Sequence, residues 1–114
     1  MEKSITYIVE ITPEAEKFYF ELLSYLYRTH DSKSADEKSN EILELAKSLK
    51  SFPNKGSNDT NLHYLGEKNQ FLVYQLTKRT SIKIIYFVNE QQRKVYVLDF
   101  FPTEMNPTKM KRSI

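Results

Sequence analysis

The sequence predicts an α+β domain with an N-terminal strand, an antiparallel two-helix hairpin, and then a mainly antiparallel twisted sheet of three to four further strands. Apolar residues alternate with more polar ones over residues 5–11, which is the period of a half-buried strand. They recur every three or four residues over residues 13–49, as in amphipathic helices. Residues 71–101 are rich in β-branched and aromatic side chains. A chain of 114 residues can bury one core, so a single domain over residues 1–114 is expected.

The first strand and the first helix meet at Thr12. Thr12 is a suitable N-cap, and Pro13 occupies a position where the missing N–H is not needed, so a helix is predicted to begin at Pro13. Glu14 and Glu16 favour the positive end of the helix dipole. The strand side chains on one face are Ile5, Tyr7, Val9 and Ile11, and the apolar stripe of the helix is Ala15, Phe18, Leu22, Tyr25 and Leu26.

The second helix is predicted to begin where Ser34 and Glu37 have the spacing of a capping box. Pro53 prevents the helix from continuing much beyond residue 50. Its expected inner face consists of Ile42, Leu45, Ala46 and Leu49. Two antiparallel helices joined by a short loop follow from these two patterns.

The second half of the chain is predicted to be mostly strands. Residues 52–61 have the Pro, Asn, Gly and Ser content of a loop that lies over the sheet edge. The predicted strands are residues 62–65, 71–77, 82–88 and 94–101, the last three forming a meander. Pro102 and Pro107 are expected to end the pairing, because proline cannot donate to a strand ladder. Residues 102–114 then form a basic tail.

Composition limits the possible chemistry. The chain has no cysteine, which excludes disulfides, thiolate metal sites and a cysteine nucleophile. It has no apolar run of membrane-spanning length, so a soluble cytoplasmic protein is expected. Residues 1–50 contain seven Lys/Arg and ten Asp/Glu. Residues 51–114 contain ten Lys/Arg and five Asp/Glu. The strand half is therefore basic, which indicates an acidic partner near the sheet or, alternatively, a solvated basic surface.

Four residues are candidates for catalysis, namely Lys78, Arg79, Lys83 and Tyr86, with Lys68 at a neighbouring turn. Hairpin geometry predicts that these cations lie near one end of the sheet, where they would attract phosphate. RNA cleavage by a 2′-hydroxyl requires a base, a cation for the phosphorus oxygens and an acid, roles that these side chains supply if their pKa values are shifted. The alternative is a charged hairpin tip that discourages edge pairing, with Tyr86 as a core aromatic. His30 and His63 are too isolated to predict a metal site, and no cofactor is expected.

Several segments together resemble the RelE/ParE superfamily of bacterial type II toxin–antitoxin (plasmid stabilisation) systems. They are Tyr7-Ile-Val-Glu-Ile-Thr-Pro-Glu-Ala15, Phe52-Pro53, Ile82-Lys-Ile-Ile-Tyr-Phe-Val88 and Val95-Tyr-Val-Leu-Asp-Phe-Phe-Pro-Thr-Glu-Met-Asn-Pro107. The resemblance covers essentially the whole chain in order. It implies a small toxin that a co-encoded antitoxin neutralises. The expected assembly is a toxin–antitoxin hetero-oligomer or a homodimer of the toxin.

The resemblance implies one of two targets. RelE-like members cleave messenger RNA on the ribosome without a metal, whereas ParE-like members poison DNA gyrase. By position Lys83 corresponds to the family's early arginine in this strand, Tyr86 to the tyrosine that follows, and Lys78 or Arg79 to the preceding basic residue. RelE-like nucleases also carry an arginine or histidine after the last strand, where this chain has the acidic Glu104. A charge stabiliser would then have to come from elsewhere.

Three aromatic residues of the last strand, Tyr96, Phe100 and Phe101, are the predicted contacts for an antitoxin helix or strand. Two other functions remain open at this level. One is a non-catalytic or degraded member of the fold that binds protein partners. The other is a nucleic-acid-binding module in which Tyr64, Tyr74 or Tyr96 stacks on bases.

Overall fold

The computed structural model describes residues 6–58 and 69–104. Over these ranges the chain forms one five-stranded sheet with two helices on one side, which confirms the predicted α+β class. The elements are β1 (Ile8–Ile11), α1 (Pro13–Thr29), α2 (Ser32–Lys47), a 3-10 turn (Ser48–Lys50), β2 (Ser57–Asn58), β3 (Asn69–Gln75), β4 (Thr80–Asn89) and β5 (Lys94–Glu104). None of the described helices is long and apolar enough to cross a lipid bilayer.

The strand order in the sheet is β1-β5-β4-β3-β2. β3, β4 and β5 form the predicted antiparallel meander, and β2 extends it at one edge. β1 pairs with β5 in parallel, with Ile8 opposite Lys94 and Ile11 opposite Val97. The first strand is therefore joined to the last, and this pairing places α1 over β5.

Helix α1 begins at Pro13, as predicted from its cap. The Thr12 hydroxyl oxygen accepts a hydrogen bond from the Ala15 amide at 3.2 Å and also donates to the Val97 carbonyl at 3.0 Å. One side chain thus caps the helix and attaches it to β5. The stripe residues Ala15, Leu22 and Leu26 are buried, as the helical spacing required.

The N-cap of helix α2 lies three residues earlier than predicted. Asp31 is the N-cap, because its carboxylate accepts a hydrogen bond from the Ser34 amide at 2.7 Å. Aspartate caps a helix as well as serine does. Once Asp31 occupies the cap, Ser34 lies inside the first turn, so the predicted capping box is wrong. The predicted inner face is confirmed, since Ile42, Ala46 and Leu49 are fully buried.

Strand β5 extends through Pro102, which contradicts the prediction that pairing ends there. Pro102 lies opposite Ile82 of β4, and the pairing continues to Glu104. Among the described strands, β1 pairs with β5 only as far as Val97, and none pairs with the remainder of β5 on that side. A proline is tolerated on an edge strand, where its missing N–H can face away from the neighbouring strand. The predicted strand at residues 62–65, Pro107 and most of the basic tail lie outside the described residues.

The hydrophobic core lies between the helical hairpin and one face of the sheet. The largest fully buried side chains are Tyr86, Phe100, Leu26, Ile42, Leu49, Ile82, Ile84, Val95 and Val97. Burying an apolar side chain of this size contributes about 1.5–3 kcal/mol to stability. Tyr19 of α1 joins this core, since its ring packs against Phe100 with centroids 5.3 Å apart. Its hydroxyl donates to the Ser39 carbonyl of α2 at 3.2 Å.

Candidate functional site: the helix-free face of the sheet

A β-bulge in β5 decides which side chains of this strand face the helices. Ile85 pairs with Asp99, whereas the next residue of β4, Tyr86, pairs with Val97. Leu98 is therefore the extra residue, and it shifts the alternation of side chains by one position. As a result Val97 before the bulge and Phe100 after it are both buried against the helices.

The opposite side of the sheet, which we call the open face, is not covered by a described helix. The strand registers place Phe71, Val73, Lys83, Ile85, Phe87, Tyr96, Asp99 and Phe101 on this face, together with the polar residues Asn69, Gln75, Ser81 and Thr103. Val73 is 52% exposed and Phe101 is 37% exposed. Ile85 in the centre is only 6% exposed and lies between Phe71 and Asp99 in the sheet. The centre of the open face is thus largely apolar, with polar side chains toward its ends.

Lys83 is the cation inside this apolar surface. In the sheet it lies between Val73 of β3 and Phe101 of β5. Its ammonium nitrogen lies 4.3 Å from the centroid of the Phe71 ring, which is the geometry of a cation–π contact. The Phe71 ring therefore lies beside the ammonium group of Lys83 on the open face.

Lys78 and Arg79 lie in the exposed turn between β3 and β4, which we call the hairpin tip. The Thr77 hydroxyl shapes this turn by accepting hydrogen bonds from the amides of Arg79 and Thr80 at 3.2 and 3.1 Å. Lys83 lies four positions after Arg79, a distance of about 13 Å along the backbone. The three cations thus lie toward the same end of the sheet, with the hairpin tip and Lys83 separated along β4.

Tyr86 lies on the other face of the sheet from Lys83 and is fully buried. Its hydroxyl accepts a hydrogen bond from the Gly56 amide at 3.0 Å and donates one to Gln70 Oε1 at 2.9 Å. Burial raises the pKa of this phenol above its usual value, which keeps it neutral. The structure therefore does not bring Tyr86 together with the cations, and its position corresponds to the alternative interpretation, a core aromatic.

The three predicted antitoxin contacts are also divided between the two faces. Phe100 is fully buried beneath α1 and is not available to a partner, which corrects that part of the prediction. Phe101 and Tyr96 are on the open face. The Tyr96 hydroxyl donates to Gln92 Oε1 at 2.9 Å, and Lys94 Nζ lies 5.5 Å from its ring centroid. Two of the three candidates thus lie on the open face.

The remaining candidates do not form a second site. Tyr74 is directed to the helix side, where its hydroxyl donates to Glu41, and burial together with this bond raises its pKa. It is therefore not a stacking surface on the open face. His30 caps the end of α1, with Nδ1 2.8 Å from Thr29 Oγ1. Among the described residues no cluster of His, Asp and Glu could hold a metal ion. His63, Tyr64 and Lys68 lie outside the described residues.

Sequence reasoning missed the polar contacts that hold the segment before β2 against the sheet. Gln70 Nε2 donates to Asn54 Oδ1 at 3.1 Å, next to the bond between Gly56 and Tyr86. A Cβ atom on Gly56 would lie 2.5 Å from the Phe71 carbonyl oxygen, so only glycine fits this close approach. The chain has only two glycines, and this scarcity is the one signal in the sequence that pointed to the position.

Comparison with known proteins supports the fold. No protein-family model matches the chain, and no curated protein matches it. A solved structure described as "Chromosomal ParDE TA system from P. aeruginosa" has a similar chain, with a TM-score of 0.66. The alignment covers 89% of this chain and 100% of that chain at 14% sequence identity. At this identity the similarity shows that the two chains share a fold.

Proposed function

We propose that the protein is the toxin component of a type II toxin–antitoxin module and that a co-encoded antitoxin neutralises it. The observation that supports this proposal is the fold shared with a chain of the ParDE TA system over the full length of that chain. The order of sequence segments that resembles the RelE/ParE superfamily supports it independently. The open face supplies an apolar surface of the kind that a protein partner covers.

For the target, the positions of the candidate residues favour a protein contact over RNA cleavage. A phosphoryl transition state requires its base, acid and cation around one phosphorus atom. Lys83 and Tyr86 lie on opposite faces of the sheet, and the hairpin tip is about 13 Å of strand away from Lys83. We therefore propose poisoning of DNA gyrase through protein contacts, with ribosome-dependent messenger RNA cleavage as the alternative.

The test is to induce the chain alone in a bacterial host and to repeat the induction with the product of the adjacent reading frame. We expect growth arrest that co-expression relieves. Messenger RNA 5′ ends and gyrase supercoiling are measured in parallel, and we expect inhibited supercoiling with intact messages. Unchanged growth with confirmed folded protein would contradict the toxin proposal.

A pair of double variants tests the role of the cations. Arg79→Ala with Lys83→Ala removes two charges from the strand half, whereas Lys33→Ala with Lys47→Ala removes two exposed charges from α2. We expect only the first pair to weaken growth arrest. Efficient cleavage of ribosome-bound messages by the wild type, lost in the first pair alone, would instead identify the protein as a nuclease. Loss of one charge-stabilising cation would then cost about two to three decades in rate.

The second candidate function is a non-catalytic member of the fold that acts by binding a protein. The burial of Tyr86, the family's expected tyrosine, favours it over a nuclease. In this case the chain alone leaves growth unaffected but still forms a stable complex with the product of the adjacent frame.

A further inference from the structure

Hydrogen bonds within the turn hold the hairpin tip in a defined conformation. The Thr77 hydroxyl accepts bonds from the amides of Arg79 and Thr80 at 3.2 and 3.1 Å. The amides of Leu76 and Thr77 both donate to the Thr80 carbonyl at 3.0 Å. The side-chain amide of Gln75 donates to the Thr77 carbonyl at 2.5 Å. A threonine hydroxyl that accepts from amides two and three residues further on stabilises a tight turn.

Helix α2 holds the start of the same turn. Lys38 of α2 donates from Nζ to the Leu76 carbonyl at 3.0 Å. Glu41, one turn further along the same face of α2, accepts a hydrogen bond from the Tyr74 hydroxyl of β3. Two polar contacts from one helix thus attach the end of β3. The position of the hairpin tip relative to the helices is therefore fixed, in addition to its internal conformation.

The side chains of Lys78 and Arg79 take no part in these bonds. Both are exposed, and no ion pair between described residues involves either of them. Two adjacent cations on a turn that is already ordered lose less conformational freedom on binding than cations on a mobile loop. The excess of positive charge favours carboxylates or phosphates on a partner.

The composition of the turn distinguishes between these two kinds of partner. Sites for single-stranded nucleic acid combine cations with aromatic rings on which bases stack. Residues 76–81 include no aromatic side chain. The ring of Tyr74, just before the turn, is directed to the helix side. The hairpin tip therefore favours carboxylates on a protein surface.

We propose that the hairpin tip is a preformed docking element for an acidic protein surface, and that Thr77 is the positioning residue that sets the directions of Lys78 and Arg79. This inference rests on the proposed function, because it takes the toxin's protein target as the bearer of that surface. Thr77 acts through the backbone of the turn and does not itself contact the partner. Removal of its hydroxyl should therefore affect binding only while the two cations are present.

The experiment is a double-mutant cycle in the full chain. Thr77→Val keeps the shape of the side chain but removes the acceptor, and it is made in the wild type and in a variant with Lys78→Ala and Arg79→Ala. Thr77→Ser keeps the hydroxyl. Thr29→Val is the matched control, because it removes an exposed hydroxyl at the end of α1. The urea midpoint and the inhibition of supercoiling by purified gyrase are measured for each variant.

The expected result is coupling between Thr77 and the two cations. Thr77→Val should raise the half-inhibitory concentration about fivefold in the wild type and less than about twofold in the variant that lacks both cations. Thr77→Ser and Thr29→Val should behave as the wild type. Equal losses from Thr77→Val in both backgrounds would refute the positioning role, and so would a loss from Thr77→Ser as large as that from Thr77→Val.

A second measurement does not depend on gyrase. A polyglutamate peptide is titrated at low salt, and binding is followed from the amide resonances of Arg79 and Thr80. We expect weaker binding by Thr77→Val than by Thr77→Ser. This pattern without growth arrest would refute the toxin function but retain the hairpin tip as a docking element. Growth arrest and gyrase inhibition that are insensitive to Thr77→Val would refute the inference but retain the toxin function.

Two further outcomes are decisive. Tighter binding of a single-stranded oligonucleotide than of polyglutamate at the same residues would assign the hairpin tip to nucleic acid and refute the inference. If Thr77→Val fails to fold, Gln75→Ala takes its place in the cycle, because it removes the bond to the Thr77 carbonyl. Equal effects of Gln75→Ala with and without the two cations would then refute the inference.

Discussion

Replacing Tyr86 by phenylalanine should destabilise the protein without changing its shape. The phenol oxygen accepts one hydrogen bond, from the Gly56 amide, and donates another, to Gln70 Oε1. The substitution removes only this atom, so the ring still fills its place in the core. The Gly56 amide then has no acceptor in a partly buried position. A net hydrogen bond contributes about 1 kcal/mol, and a buried donor left unpaired costs about 1–3 kcal/mol.

We therefore expect Tyr86→Phe to lower the free energy of unfolding by about 1–3 kcal/mol. With a urea m-value of about 1–3 kcal/mol/M, the midpoint should fall by about 1 M. The exchange rate of the Gly56 amide should also rise, because its acceptor is lost. Tyr96→Phe is the matched control, since it removes the same atom from an exposed hydrogen bond to Gln92, and it should change stability by less than about 0.5 kcal/mol.

The opposite pattern would refute this assignment. If Tyr86→Phe keeps the urea midpoint and the Gly56 exchange rate of the wild type but abolishes toxicity, the phenol acts on a target and not on the fold. The reasoning would also be wrong if Tyr96→Phe were as destabilising as Tyr86→Phe.

Three further predictions concern the same core. Gly56→Ala should lower the free energy of unfolding in urea by about 1–3 kcal/mol, because the added Cβ lies 2.5 Å from the carbonyl oxygen of Phe71 in β3. If the variant is as stable as the wild type, the segment before β2 shifts freely and this reasoning is wrong. Phe100→Ala should lower the free energy of unfolding by about 3–5 kcal/mol, and Phe101→Ala should lower it much less, because only Phe100 is fully buried. Equal losses of stability in thermal unfolding would contradict the position of the bulge. Burial raises the pKa of Tyr86 and Tyr74, so unfolded phenols ionise first, and stability should fall as the pH rises above about 10. A urea midpoint constant from pH 8 to 11 would contradict this.

Local signals in the sequence were sufficient for the helices and the central strands. Thr12 and Pro13 fixed the start of α1, because a cap and a first-turn proline are determined by neighbouring residues. The start of α2 was wrong because two good caps, Asp31 and Ser34, lie within one turn of each other. The continuation of β5 through Pro102 was missed because it depends on how far β1 pairs with β5, a contact between residues more than 80 positions apart.

The candidate site was harder to predict because its composition depends on which face of a strand each residue occupies. Lys83 and Tyr86 are three positions apart on β4, and simple alternation places them on opposite faces. Proximity in sequence was a poor guide to proximity in space here. The close approach of Gly56 to the Tyr86 hydroxyl was also not predictable, because it joins residues from separate segments.

The bulge at Leu98 determines the side chains of both the core and the open face. Without the extra residue, alternation along β5 would place Asp99 and Phe101 on the same side as Val97, facing the helices, and Phe100 on the open face. A carboxylate would then be buried beneath α1, at a cost of several kcal/mol unless it found a partner. With the bulge, Phe100 fills the core against Tyr19, and Asp99 and Phe101 remain on the open face. The same local irregularity that completes the core therefore determines which apolar and charged side chains β5 presents on the open face.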